Sequence, residues 1–162
     1  MPDDKRATYR LSKIGMVHQM PYWVKALTLR ENVAMPLIIK GLKESTSMQR
    51  ADQILEELGI GELAKQRPTQ LSGGQQQKAG LARALVTNPW IIIADEPTGN
   101  LDSVSAQEMM VLLHDLNAMH KRTILLVTHN EKYWNLGNRR VEMKDGKITK
   151  DIRHQDGSKV SS

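Results

Sequence analysis

The sequence predicts an α/β fold, a mostly parallel sheet carrying an inserted α-helical segment. Three observations predict it. The run Trp90-Ile-Ile-Ile-Ala94 is continuously apolar, as a strand buried on both faces requires. A helical period over about residues 103–119 follows, and then the β-branched, apolar run Thr123-Ile-Leu-Leu-Val-Thr128. Strand, helix and strand in that order imply a parallel pair joined by a crossover. Upstream, residues 28–88 read as helix-rich and interrupt this α/β grammar.

Taken in order, residues 3–12 are polar with helix-forming character, and Ile14-Gly-Met-Val-His18 reads as a short buried strand with Gln19 at its end. The stretch from Leu29 to Leu37 reads as a short helix ending near Pro36, because the residue before a proline is disfavoured in helix. Residues 45–58 form an amphipathic helix. Ser45 or Thr46 supplies its N-cap, Met48, Ala51, Ile54, Leu55 and Leu58 its stripe, and Gly59 its stop. A second helix runs from Gln75 to about Thr87, with Gly80 costing ~1 kcal/mol against alanine. The helix after Ser103 has Met109, Val111, Leu112, Leu113 and Leu116 among its apolar positions. Val141 to Ile148 reads as a hairpin turning at Asp145-Gly146, and residues 151–162 as a polar, flexible tail. The domain organisation is therefore an α/β core over 1–27 and 89–150, a helical subdomain over 28–88 and a tail.

Composition narrows the function classes. The 162 residues are 40% hydrophobic and 25% charged, enough apolar content for one domain with a core. No apolar run approaches the ~20 residues of a membrane-spanning helix. With no cysteine, disulfides and thiolate metal sites are excluded. The net charge of +5 is scattered, its densest clusters being the pairs Lys121-Arg122 and Arg139-Arg140. Aromatics are 4% with no Phe, so no base-stacking platform for nucleic acid is expected. The nine methionines read as core filler.

Four features carry chemistry. Leu71-Ser-Gly-Gly-Gln-Gln-Gln77 places two glycines and Ser72 before a helix, where free amides and the helix dipole favour an anion such as phosphate. The same residues are also compatible with a plain serine N-cap. Asp95-Glu96 ends the apolar strand, placing two carboxylates where parallel sheets bind ligands. Such a pair can hold Mg2+ and orient or deprotonate a water, although two solvated acids would look the same. His129 follows the next strand and can reach the same edge. Gln19 ends the first strand, where its amide oxygen can ligate Mg2+ or hold a water. His114 and His120 have no partner at metal-ligand spacing and read as surface or packing residues.

The order Gln19, LSGGQQQ, IIIADEP, TGNLD and Thr128-His129 resembles the ATP-binding cassette (ABC) family over about residues 10–150. Glu31-Asn-Val-Ala-Met-Pro-Leu37 and ADEPTGNLD make it similar to ATPase subunits of the lipoprotein-release and macrolide-export type. The resemblance implies an incomplete P-loop NTPase (ABC) core with an inserted helical subdomain. It implies that Gln19 is the Q-loop glutamine, sensing Mg2+, and that Ser72, Gly73, Gly74 and Gln75 form the signature motif. That motif would bind the γ-phosphate of ATP held by the opposite subunit. By the same resemblance Asp95 serves Mg2+, Glu96 is the catalytic glutamate, Leu101 and Asp102 lie in the D-loop at the subunit interface, and His129 is the switch histidine. ATP and Mg2+ are the implied cofactors. A second ABC ATPase subunit and a transmembrane permease are the implied partners, with no nucleic acid. The implied location is cytoplasmic, peripheral on the inner face of the cell membrane through the permease.

The sequence departs from the family in places. His18 stands where an aromatic is common before the Q-loop glutamine. Lys78-Ala-Gly80 stands where Arg and branched apolar residues are usual. The phosphate-wrapping pattern G-x-x-x-x-G-K-[ST] is not found, and Gly15 is the one glycine before Gln19. The expectation is a chain truncated before the Q-loop, marginal in stability and unable to hold ATP alone, because that loop supplies most donors to the triphosphate. Two readings follow. One is an ATP-binding subunit, or part of one, of an exporter. The other is a non-hydrolytic module completing another subunit's ATP site in trans. A soluble ABC protein of DNA repair or translation fits less well, since long coiled-coil or repeated-domain features are missing.

Overall fold

In the computed structural model, residues 13–154 are described, and the chain divides after Val127 into two compact units. The expected character of residues 3–12 lies outside the described residues.

In the first unit, β1 (Ile14–Val17), β2 (Ile91–Asp95) and β3 (Thr123–Val127) form a parallel sheet in the order β1-β2-β3. Gly15 pairs with Ile92 and Ile92 with Ile124; Val17 pairs with Ala94 and Ala94 with Leu126. Gly15, Val17, Ile92 and Ala94 of this face are buried. The opposite face carries Met16, Ile93 and Leu125 in register, with Met16 and Leu125 exposed. The uniformly apolar strands thus predict burial on both faces, and the first unit supplies it on one. Four of the methionines, Met16, Met20, Met119 and Met143, are likewise exposed rather than core filler.

Among the described residues four α-helices complete this unit: α1 (Leu29–Ile39), α2 (Glu44–Glu57), α3 (Gly73–Leu85) and α4 (Ser103–Ala118). α1 starts on a capping box, Thr28 Oγ1 accepting from the Glu31 amide while Glu31 takes the Thr28 amide at 2.6 Å. Its next free amides, Leu29 and Arg30, donate to the carbonyls of Gln66 and Ala64. The helix does not stop at Pro36 but runs through it to Ile39. Burial of Leu29, Val33, Ala34 and Leu37 against α2 and α3 offsets the lost proline amide bond. α1 then closes at Gly41, whose φ of 85° suits glycine.

α2 begins one residue before the expected serine or threonine cap. Lys43 is its N-cap and makes no side-chain bond there. The short 41–43 turn leaves no room for a later start, and Ser47 turns its hydroxyl inward to the Lys43 carbonyl. The buried stripe Ala51, Ile54 and Leu55 is as expected. α3 starts at Gly73, two residues before the expected Gln75, with Ser72 as cap. It bridges the helices and the sheet. Buried Ala79, Ala82 and Ala84 keep its surface low, and a Cβ on Gly15 would stand 2.6 Å from the Ala84 carbonyl oxygen.

The second unit holds an antiparallel hairpin, β4 (Arg139–Lys144) and β5 (Lys147–Arg153). Asp145 and Gly146 have φ of 49° and 73°, the left-handed pair that a two-residue turn of this kind requires. β5 continues to Arg153, so residues 151–153, expected in the tail, are strand. Arg139 grips Asp151 through two bonds of 2.9 and 2.8 Å. Residues 155–162 lie outside the described residues.

Candidate functional site

Residues 95–105 connect the sequence features of the first unit. β2 ends at Asp95, whose side chain is exposed at the carboxyl edge of the sheet. Glu96 follows with φ of 46°, a left-handed conformation that a non-glycine residue enters at a cost. It is fixed on both sides. Its amide donates to the Val127 carbonyl at 2.9 Å, and its carbonyl accepts from Gly99 at 3.1 Å. Buried Pro97 and Thr98 hold the turn from below.

Gln19 lies against this turn. A Cβ on Gly99 would stand 2.7 Å from Gln19 Nε2, so the glycine admits the amide. The next residues meet the signature loop. A Cβ on Gly73 would lie 3.8 Å from the Asn100 carbonyl oxygen, and one on Gly74 only 2.6 Å from Ser105 Oγ. Ser105 in turn donates its hydroxyl to Asp102 at 2.7 Å. Lys78 of α3 and Glu108 of α4 add an ion pair at 2.8 Å.

The two helix starts share a chemistry. Ser72 Oγ accepts from the Gln75 amide at 3.3 Å, and Gln75 Oε1 accepts the Ser72 amide at 2.9 Å. This box takes up only part of the free donor set at the start of α3. The serine cap is therefore present, and it leaves other amides of the loop free of it. Asp102 caps α4, accepting from the amides of Val104 and Ser105 at 3.0 Å each. Those bonds, that of the Ser105 amide first, hold its carboxyl below the ordinary aspartate range. Sequence reasoning placed Asp102 at an interface and missed this cap, although Asp followed by Ser-Val-Ser before an apolar period is a capping signal.

Asn32 was missed as well. It is fully buried, takes the Val24 amide on Oδ1 at 3.0 Å, and donates to the carbonyls of Val24, Leu27 and Thr28. It thereby shapes the segment between Gln19 and α1. His129 belongs to the second unit, where it is exposed between Thr128 and Asn130, whose amide donates to Thr128 Oγ1 at 3.0 Å.

The oxygen donors of Asp95, Glu96 and Gln19 suit a hard cation that keeps waters and phosphate oxygens in its shell, as Mg2+ does. Among the described residues no cluster of three His, Cys, Asp or Glu forms a metal cage. A cavity of about 470 Å³ beside β1 is lined by Met16, His18, Pro36, Arg83 and Thr87 among others, and by neither carboxylate.

With this geometry in place, the sequence profile described as ABC transporter matches residues 2–99. The chain belongs to the ABC transporter family. Two curated members are similar over most of it. The macrolide export ATP-binding/permease protein MacB of Aggregatibacter actinomycetemcomitans is 42% identical over 153 residues, 94% of this chain and 24% of that protein. The lipoprotein-releasing system ATP-binding protein LolD of Colwellia psychrerythraea is 38% identical over 148 residues, 91% of this chain and 57% of that protein. This ABC chain thus spans between a quarter and just over half of those relatives. Among solved structures, the dimeric ATP-binding cassette MJ0796, in a post-hydrolysis state bound to ADP and Pi, is similar with a TM-score of 0.82 and 38% identity. That match covers 94% of the ABC chain and 68% of the cassette. The expected α/β fold is that of ABC ATPases. Among the described residues no helix is long and apolar enough to cross a membrane.

Proposed function

We propose that this chain works as the ATP-binding part of an ABC transporter, coupling ATP binding and hydrolysis to transport, in the direction of export. One observation carries the reading. Residues 95–105 bring Gln19 against Gly99 at one end and the signature loop Ser72–Gln75 against Asn100 and Ser105 at the other. The carboxylates and the anion-binding helix start therefore belong to one packed segment, in line for the two halves of a composite nucleotide site. The names of MacB and LolD favour export over import.

In this reading Asp95 and Gln19 offer oxygen donors to Mg2+, which when bound offsets the charge of the phosphates. Glu96 orients or deprotonates the attacking water, its direction set by the strained backbone between Val127 and Gly99. Ser72 to Gln75 present their loop to ATP on a second ABC ATPase subunit. Asp102 shapes the segment that meets that subunit, and His129 contacts the γ-phosphate. The pattern G-x-x-x-x-G-K-[ST] is not found in these 162 residues. A transmembrane permease would hold the chain at the inner face of the membrane.

The test mixes the purified chain with an ABC ATPase subunit that carries a phosphate loop. ATP hydrolysis should rise on mixing and fall when Ser72 is replaced. Hydrolysis indifferent to Ser72 would overturn the role in trans. ATP binding by the chain alone, measured by titration calorimetry, should be undetectable; micromolar affinity would show that these residues hold nucleotide without that loop.

A further inference from the structure

Gln77 lies two residues beyond the signature loop and is 2% exposed. Its Nε2 donates to the His18 carbonyl at 2.8 Å, across fifty-nine residues of sequence. It is one of a row on α3. Gln76 Oε1 accepts from Trp23 Nε1 at 3.1 Å. Gly80 admits Pro21, whose Cγ would stand 3.1 Å from an added Cβ. Arg83 donates to the Tyr22 carbonyl at 2.5 Å and lies over the Trp23 ring, 4.5 Å from its centroid. Positions 76, 80 and 83 recur at helical spacing, so one face of α3 grips residues 18–23.

The Gln77 bond differs from the others in what it fixes. The His18 carbonyl and the Gln19 amide nitrogen belong to one planar peptide. Holding that carbonyl sets the plane and with it the place of the Gln19 Cα, so that rotation about the next N–Cα bond is the one backbone freedom left before the side chain departs. From that place the side chain reaches Gly99. Apolar contacts such as Pro21 on Gly80 lack this directionality, while a buried amide donor has it.

We propose that Gln77 is a positioning residue for Gln19, its buried amide fixing the His18–Gln19 peptide so that Gln19 reaches the turn after Glu96. The functional consequence rests on the reading above that Gln19 serves a nucleotide site.

The experiment replaces Gln77 by Met, which keeps length without a donor, and by Asn, a milder variant that withdraws the amide by one methylene. Amide resonances of the full chain are the first readout. In Gln77→Met the Gln19 amide, which shares its peptide with the His18 carbonyl, should shift on loss of the buried bond, while the amides of α2 keep their positions. Gln77→Asn should show the same localised shift at smaller size. A change spread over α2, or an unmoved Gln19 amide, would overturn the proposal. The second readout is hydrogen exchange of the Gly99 amide, which donates to the Glu96 carbonyl where Gln19 packs on the turn. Gln77→Met should speed its exchange as Gln19→Ala does, and should add nothing in a Gln19→Ala background; an equal further rise in that background would count against the proposal. Neither readout involves nucleotide, so a mixture with no ATP turnover would sink the functional reading and leave the positioning of Gln19 by Gln77 to be decided on its own.

Discussion

Gly74 lies against Ser105 so closely that a Cβ on the glycine would stand 2.6 Å from the serine oxygen and 3.0 Å from its Cβ. The second glycine of the signature loop is thus also a point where α3 and α4 touch. Alanine at position 74 would gain helix propensity of up to ~1 kcal/mol. It would also displace Ser105, whose hydroxyl is committed to Asp102. Rotating the hydroxyl away does not move the Ser105 Cβ. Gly74→Ala should therefore be net destabilising by about 1–2 kcal/mol in urea unfolding. In a Ser105→Gly background, itself weakened by the lost Asp102 bond and by a helical glycine, Gly74→Ala should cost less than in the unsubstituted chain.

Ser72 carries two roles that substitutions can separate. Ser72→Ala removes the cap and should cost about 1 kcal/mol of stability. Ser72→Asp keeps a capping oxygen for the Gln75 amide and favours the helix dipole, so stability should be retained. It also sets a negative charge where a phosphate is proposed. In the mixture with a phosphate-loop subunit, Ser72→Asp should abolish stimulated ATP hydrolysis although the protein unfolds at the wild-type urea midpoint.

Asp102 predicts an acid-side effect. Its folded carboxyl titrates below its ordinary value of 3.8, held down first by the Ser105 amide and then by the Ser105 hydroxyl. A depressed carboxylate contributes stability that is fully present above the unfolded value and is lost as pH falls through the folded one. The cap should hold at pH 5 and above and fade below pH ~4. Asp102→Asn keeps a capping oxygen and does not titrate. Urea midpoints measured from pH 6 to 2.5 should fall less steeply for Asp102→Asn than for the unsubstituted chain.

Gly15 is fixed by an approach of backbone to backbone. An added Cβ would meet the Ala84 carbonyl oxygen at 2.6 Å, and no side-chain rotation relieves it. Gly15→Ala should cost about 1–3 kcal/mol and push α3 off β1. Hydrogen exchange should accelerate in β1, and because α3 also grips the carbonyls of His18 and Tyr22, the amide resonances of residues 19 and 23 should shift.

How much was legible in the sequence follows from the range of each interaction. The strand Ile91–Asp95, the stripe of α2 and the Asp145-Gly146 turn are local patterns, and each formed as read. The motifs LSGGQ and ADEP likewise mark the family, because residue types at fixed spacing are enough. Pro36 misled, since the local rule against proline in helix was outweighed by burial on α2 and α3. The cap of α2 misled because a short turn, not a side chain, sets its start.

By itself, then, the sequence determined the α/β class, the order of elements, the family and the side chains suited to phosphate and Mg2+. The tertiary structure alone decided which of them meet. Gln19 and Gly99 are eighty residues apart in the chain, and Gln77 and His18 fifty-nine. Periodicity and capping act over a few residues and carry no record of such pairs. They form because three glycines, at 15, 74 and 99, let helices, turns and the Gln19 amide approach where a Cβ would intrude, and that fit exists only once the chain has packed.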